Sequence, residues 1–334
     1  MTEQHFPWVE KYRPKKLSEL TSDNSAINFT LQQFIKNDSM PHLLFYGPPG
    51  TGKTSTILAL ARQLYGKYMH YMVMELNVSD NRGIDVIRKT VKQFVSSSSM
   101  IDDTKYKLVI LDEIDAQTLD AQHILKRIIE MYSKKTRFCL ICNDKNKIIP
   151  ALQSRCELFR FKPHKPTYIK TVLTNICAEE GLTNIPIDDV INICDGDMRK
   201  CINTMQGVSI SCGEHMDVYV YSGHCRPNDI KKIYRLLLQE DFNLSYQTIK
   251  TMIYTNNMLF DNIITAIADL VIADINMHKQ QICFIIDRLA VLQYNYSTCN
   301  NVDLFLSTFI SIFMLSTINN LSLTSKQLSC TNTI

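Results

Sequence analysis

At 334 residues the chain exceeds the size at which one hydrophobic core stops growing, so two or three domains are expected. Hydrophobic residues make up 45% and charged residues 21%, ordinary usage for a packed chain, and no Pro/Gly/Ser tract marks a disordered half. Lys and Arg number 36 against 33 Asp and Glu, a net of +3, which is too small to signal nucleic-acid binding by bulk charge; any such contact has to be local.

The first half alternates two kinds of segment. Residues 42–46, 72–76, 107–111, 137–142 and 158–161 are short apolar runs bounded by turn or charged residues, and they predict buried strands. Residues 54–65, 83–94, 121–132 and the short 148–154 predict helices between them. Strands alternating with helices give an α/β domain, a parallel sheet with flanking helices, whose function belongs at the carboxyl ends of the strands.

Two motifs sit at such strand ends. Gly47-Pro48-Pro49-Gly50-Thr51-Gly52-Lys53-Thr54 follows the first strand and opens a helix, the context that G-x-x-x-x-G-K-[ST] requires. Its glycines let backbone N–H groups converge on phosphate oxygens, the helix N-terminus adds partial positive charge, Lys53 reaches the β/γ-phosphates and Thr54 is a ligand for Mg²⁺. Leu108-Val109-Ile110-Leu111-Asp112-Glu113 then drives two carboxylates to a strand tip, Asp112 to hold Mg²⁺ through water and Glu113 to orient an attacking water.

Past residue 161, Pro163 and Pro166 mark a linker, and 167–180, 187–194 and 198–211 read as three helices of a small lid. From about 226 onward the pattern is helical without a catalytic motif, over 230–238, 244–254, 259–274, 280–293 and 302–318. Three domains are therefore expected, 1–162, 163–225 and 226–334. The stretch 304–325 carries no charge, and its part to 321 is long enough to span a bilayer at about 20 residues. Ser307, Thr308, Ser311, Ser316, Thr317, Asn319 and Asn320 interrupt it, so a helix buried among others is the expectation, and no membrane. The eleven cysteines are scattered with no apolar leader, which predicts reduced thiols. Cys139-x-x-Cys142 lacks a second pair and lies in an apolar run, so buried strand cysteines are expected rather than metal ligands.

Six segments in one order then carry a resemblance. They are Glu10-Lys11-Tyr12-Arg13-Pro14, the loop 47–55, Glu75-Leu-Asn77-x-Ser79-Asp80-x-Arg82-Gly83-Ile84-Asp85, Asp112-Glu113, Arg137-Phe-x-Leu-Ile-Cys-Asn143 and Ser154-Arg155-Cys156. Over roughly residues 6–206 the chain resembles the replication factor C small subunits, AAA+ ATPases that load sliding clamps. Residues 136–143 and 147–156, with Tyr221-Ser222-Gly223-His224, are most similar to the small subunit placed centrally in the eukaryotic five-membered ring.

The resemblance implies an AAA+ ATPase domain, an α-helical lid and an α-helical collar that joins subunits. It implies ATP and Mg²⁺ as cofactors, and a pocket of Val9, Tyr12, Arg13, Gly47, Pro48, Gly50, Thr51, Gly52, Lys53, Thr54 and Ser55, with Asn143 and Arg199 as sensors. Arg155 is implied as an arginine finger for a neighbouring subunit's ATP, stabilising charge in its transition state, beside Lys53, Asp112, Glu113 and Asn143 in catalysis. Ile84, Arg88 and Lys92 are implied as DNA contacts; on sequence alone Arg88 and Lys92 read equally as a solvated basic face. The implied partners are companion replication factor C subunits in a hetero-pentamer, a sliding clamp of the PCNA type, with its contact expected near 114–119, and primer-template DNA. The implied location is the nucleus, if the source is eukaryotic. Two departures stand out: Asp112-Glu113-Ile114-Asp115 replaces the family's Asp-Glu-Ala-Asp, and Lys126 occupies a position commonly Arg, without its planar fork.

Overall fold

The computed structural model describes residues 6–20, 25–78, 84–96, 106–182, 185–211, 217–239, 241–299 and 301–331, with backbone alone for 84–88 and 317–331. Ser79, Asp80, Arg82 and Gly83 of the third motif lie outside the described residues. The chain divides into two units, Met1–Ile210 and Ser211–Ile334.

The first unit opens with the short α1 (Trp8–Lys11) and with α2 (Ser25–Lys36). Then come β1 (Leu43–Tyr46), α3 (Lys53–Tyr65), α4 (Met69–Met72), β2 (Val73–Asn77), α5 (Ile84–Ser96), β3 (Lys107–Asp112), α6 (Leu119–Tyr132), β4 (Thr136–Cys142), α7 (Pro150–Gln153) and β5 (Glu157–Arg160). After β5 follow α8 (Pro166–Glu180), α9 (Ile187–Cys194) and α10 (Met198–Ser211). The five strands form one parallel sheet in the order β2-β3-β4-β1-β5. Its central strands β1, β3 and β4 read as nearly continuous apolar runs because both faces are covered. Leu43, Phe45, Leu108, Ile110, Cys139 and Ile141 pack on one face with α2 and α3, whereas Leu44, Val109, Leu111, Phe138, Leu140 and Cys142 pack on the other with α5 and α6. Cys139 and Cys142, three residues apart on a period of two, thus point to opposite faces and cannot converge on one ion. Burial pushes both thiols up, Cys142 to about 12.

Register sets the function-bearing edge. Tyr46 stands beside Cys142, and Asn77 beside Asp112, so the residues that follow β1, β3 and β4 emerge together at the carboxyl edge of the sheet. Two expectations needed local correction. Met72 ends α4 rather than starting a strand: its side chain is buried, and an apolar pattern reports burial, not backbone geometry. Within 148–154 only Pro150–Gln153 is helical, since Pro150 takes the first helical position and holds Ile149 extended.

The second unit is helical throughout its described elements: α11 (Val218–Ser222), α12 (Pro227–Gln239), α13 (Phe242–Thr255), α14 (Phe260–Ala273), α15 (Lys279–Cys299) and α16 (Val302–Thr331). Ile233, Ile249, Ile263, Ile267, Ile285 and Phe309 are fully buried in a single core. Leu306, Phe309, Ile310 and Phe313 give α16 a face within that core, while Leu304 and Leu315 stand more than half exposed on it. Among the described residues no helix is long and apolar enough to cross a membrane.

Candidate functional site

The loop between β1 and α3 is built where side chains do not fit. At Gly47 a Cβ would sit 2.2 Å from the Phe161 carbonyl oxygen, and at Gly50, with φ +66°, one would meet the Asp197 carboxylate. The loop therefore lies against the end of β5 and against the start of α10, whose Met198 N–H donates to the Gly50 carbonyl at 3.3 Å. Helix α3 begins at Lys53 directly after the loop, so its first N–H groups face the space the loop encloses.

Four chain segments meet at Lys53. The residue is 8% exposed, and its ammonium donates to the carbonyls of Gly47 (2.7 Å) and Pro48 (2.8 Å) and to Asn143 Oδ1 (3.0 Å). Burial lowers its pKa, opposed chiefly by the Asp112 carboxylate. Thr54 Oγ1 donates to Asp112 Oδ2 at 2.8 Å, and Asp112 Oδ1 accepts from the Glu113 N–H at 2.8 Å. Glu113 has φ +57°, a conformation that a non-glycine residue keeps only when its surroundings impose it. Asp115 Oδ2 accepts from the N–H groups of Asn143 (3.1 Å) and Asp144 (3.2 Å), which fixes the strand end bearing Asn143. A hydroxyl and a carboxylate side by side are hard oxygen donors, and Thr54 with Asp112 suits a divalent cation such as Mg²⁺.

Around this group lies a cleft of about 420 Å³, within the size of small-ligand sites. Val9, Tyr12, Arg13, Gly50, Thr51, Gly52, Lys53, Thr54, Ser55, Asp112, Glu113, Asn143 and Arg199 all line it. Gly47 and Pro48 do not line it; they hold Lys53 through their carbonyls. Glu75, Asn77, His164, Tyr168, Val172 and Ile202 also line it and were not expected. Asn77 was findable only from the strand order that sets it beside Asp112. Tyr168 and Val172 stand one turn apart on α8, and Ile202 repeats with Met205 and Val208 on α10, patterns that read as core. Burial raises the Glu75 carboxyl, with Arg13 opposing.

The amino-terminal segment that lines the cleft is tied to α8 and α10. Tyr12 Oη donates to Glu180 Oε1 at 2.6 Å and Lys11 Nζ to the same oxygen at 2.7 Å, while the Trp8 N–H donates to Gln206 Oε1 at 3.0 Å.

Arg155 is elsewhere. The Glu157 N–H bonds the His42 carbonyl, and Leu43 stands beside Glu157, so Arg155 precedes β5 at the amino edge of the sheet. Four strand residues, about 13 Å, separate that level from the loop. Its guanidinium pairs with Glu130 Oε1 at 2.5 Å and donates to the Ala151 carbonyl at 2.8 Å; Lys126 approaches the same Glu130 oxygen at 3.8 Å. The buried Gln122 ties this region back to α6, accepting from the Ile149 N–H and donating to the Lys147 carbonyl, each at 2.9 Å. Of the DNA-facing expectations, Lys92 is exposed on α5, and the side chains of Ile84 and Arg88 lie outside the described residues. Near 114–119, Ile114 is fully buried and Leu119 is 64% exposed, so Leu119 is the large apolar side chain that stands open there.

Residues 43–164 match the ATPase family associated with various cellular activities (AAA), and 225–311 match the replication factor C C-terminal domain. The chain is 42% identical over 325 residues to a probable replication factor C subunit 5 of Dictyostelium discoideum, covering 94% of this chain and 92% of that one. It is 40% identical over 318 residues to replication factor C subunit 5 of Homo sapiens, covering 94% and 93%. With replication factor C subunit 3 of Schizosaccharomyces pombe it shares 41% over 302 residues, covering 89% and 87%. Among solved structures, the Thermotoga maritima RuvB Holliday junction branch migration motor superposes on 72% of this chain and 85% of its own at a TM-score of 0.50 and 13% identity, a likeness of fold.

Proposed function

Because the chain belongs to the replication factor C family of clamp-loader small subunits, we propose that it binds ATP with Mg²⁺ in the cleft around Lys53. In this reading it works as one member of a hetero-pentamer that opens a sliding clamp and loads it onto primer-template DNA, in the nucleus where the cell has one. Residues 1–162 are the ATPase domain, 163–225 the lid and 226–334 the collar. The chain is an AAA ATPase; the finer claim is that its hydrolysis is completed between subunits.

The chemistry follows from the groups at the cleft. Lys53 is a buried ammonium held by two carbonyls and an amide oxygen, neutral acceptors that phosphate oxygens would replace with full charge. The free N–H groups at the start of α3 add to that attraction. Thr54 and Asp112 would hold Mg²⁺, whose contribution when bound is to offset phosphate charge. Glu113 would orient the attacking water, and Asn143, steadied by Asp115, would bond the terminal phosphate. Arg199 reaches the same cleft from α10 and would connect nucleotide state to lid position. Lys92, with Ile84 and Arg88, would follow a DNA backbone, and Leu119 would meet the clamp.

One observation supports the shared site above all: Arg155 lies at the sheet edge opposite its own chain's cleft and is satisfied by Glu130. A finger so placed serves a neighbour's nucleotide. Arg155→Ala, assembled with companion subunits, is expected to slow hydrolysis at the neighbouring site by roughly 10³-fold while this chain's own ATP affinity holds. Loss of this chain's own ATP binding, with the neighbour's hydrolysis intact, would contradict the shared site.

A further inference from the structure

Helix α8 ends in a side chain with no part in the phosphate chemistry. Glu180 is its last residue, followed by left-handed Gly181 at φ +69°, and it does not line the cleft. Yet one of its oxygens receives both Tyr12 Oη at 2.6 Å and Lys11 Nζ at 2.7 Å. The third tie from this segment, the Trp8 N–H to Gln206 Oε1 at 3.0 Å, lands on α10. So three side-chain-mediated bonds of residues 8–12 reach α8 and α10, the helices that carry Tyr168, Val172, Arg199 and Ile202 into the cleft. Tyr12 itself lines the same cleft.

An exposed Lys–Glu pair alone would contribute little. The phenol–carboxylate bond is of another kind: short, charge-assisted and partly shielded. Burial first, and then Glu180, pushes the Tyr12 hydroxyl up to about 12, and the bonds from Lys11 and Tyr12 hold the Glu180 carboxyl below its usual range.

We infer that Glu180 is a positioning residue that latches the amino-terminal wall of the cleft to the lid, so that wall and lid open together and set how long a nucleotide stays. The inference rests on the reading of the cleft as the ATP site. Its signature is kinetic. Phosphate-contacting groups are untouched by the latch, so its loss acts on nucleotide release and on KM rather than on the hydrolytic step.

The test is stopped-flow release of a fluorescent ADP from the full chain, with ATP turnover of the assembled loader alongside. Glu180→Ala is expected to release the probe at least about tenfold faster, the lower end of what one hydrogen bond to a charged group contributes. It should raise KM for ATP more than it lowers kcat. Glu180→Gln still accepts from Tyr12 and should fall between wild type and Glu180→Ala; adding Tyr12→Phe to Glu180→Ala should add little. Glu179→Ala removes the same charge one residue earlier and should release like wild type. Release from Glu180→Ala at the wild-type rate, whether or not its melting temperature falls, would overturn the latch while leaving the ATP site standing. A wild-type chain that holds no fluorescent nucleotide would overturn the ATP-site reading and the latch with it.

Discussion

Lys53 and His42 show how burial decides what one titratable side chain can do. Lys53 keeps three oxygen acceptors and a nearby Asp112, so it remains a cation in a confined space and attracts an anion. His42 has no such support. Its Nδ1 accepts the Phe138 N–H at 3.2 Å, and burial, with Arg137 adding, lowers its pKa from 6.5 to about 4. Between those values the unfolded chain binds a proton that the folded chain does not, so stability falls as pH drops from 6.5 towards 4. Above that window the contribution is constant. Melting temperatures of wild type and His42→Gln across the window should show the steeper acid loss in wild type, because the variant removes this imidazole's titration and keeps every carboxylate. Parallel slopes would refute the assignment.

At the scale of elements, sequence patterns were readable where one segment's own residues decide the outcome. The runs of β3 and β4 are apolar because both sheet faces are covered, and the loop 47–54 carries Gly47 where the Phe161 carbonyl crowds it and Gly50 where the Asp197 carboxylate does. Phe138 has no exposed surface and abuts His42 with ring centres 5.6 Å apart. Phe138→Ala is expected to cost about 3–5 kcal/mol, measured by urea unfolding; a loss below 1 kcal/mol, on the order of a surface change, would contradict the two-faced core. Other elements were hidden for physical reasons. Helix α2 buries Leu31 and partly buries Ile27, Phe34 and Ile35 at helical spacing, but Asn28, Phe29 and Thr30 are weak helix formers, and tertiary packing holds it. Glu75 and Asn77 enter the cleft through strand order, and Glu180 meets Tyr12 across 168 residues; neither juxtaposition is written in local sequence. Asp115 was visible as part of an acidic box, but its bond to the Asn143 N–H depends on where β3 and β4 end.

For the whole molecule, the second unit reconciles an uncharged C-terminal stretch with a folded helical block. Phe309 and Phe313 of α16 stack edge to face at 5.8 Å inside the core, and their removal would damage folding. Leu304 and Leu315 are 58% and 51% exposed on the same helix, so they are available to a companion subunit. Leu304→Asp with Leu315→Asp is expected to leave the far-ultraviolet spectrum and melting temperature of the chain near wild type and to weaken assembly at least tenfold, on the order of 1.4 kcal/mol. Sedimentation of the reconstituted complex reads this; unchanged assembly would place the subunit contacts elsewhere. The central claim is that one chain holds a nucleotide cleft whose finger is supplied in trans. The most direct test is ATP turnover of the purified chain, alone and with companion subunits, titrated with sliding clamp and primer-template DNA, beside Glu113→Gln. The account predicts little turnover from the chain alone, and turnover in the assembly that rises with clamp and DNA and falls in Glu113→Gln. Full-speed hydrolysis by the isolated chain, indifferent to clamp and DNA, would contradict it.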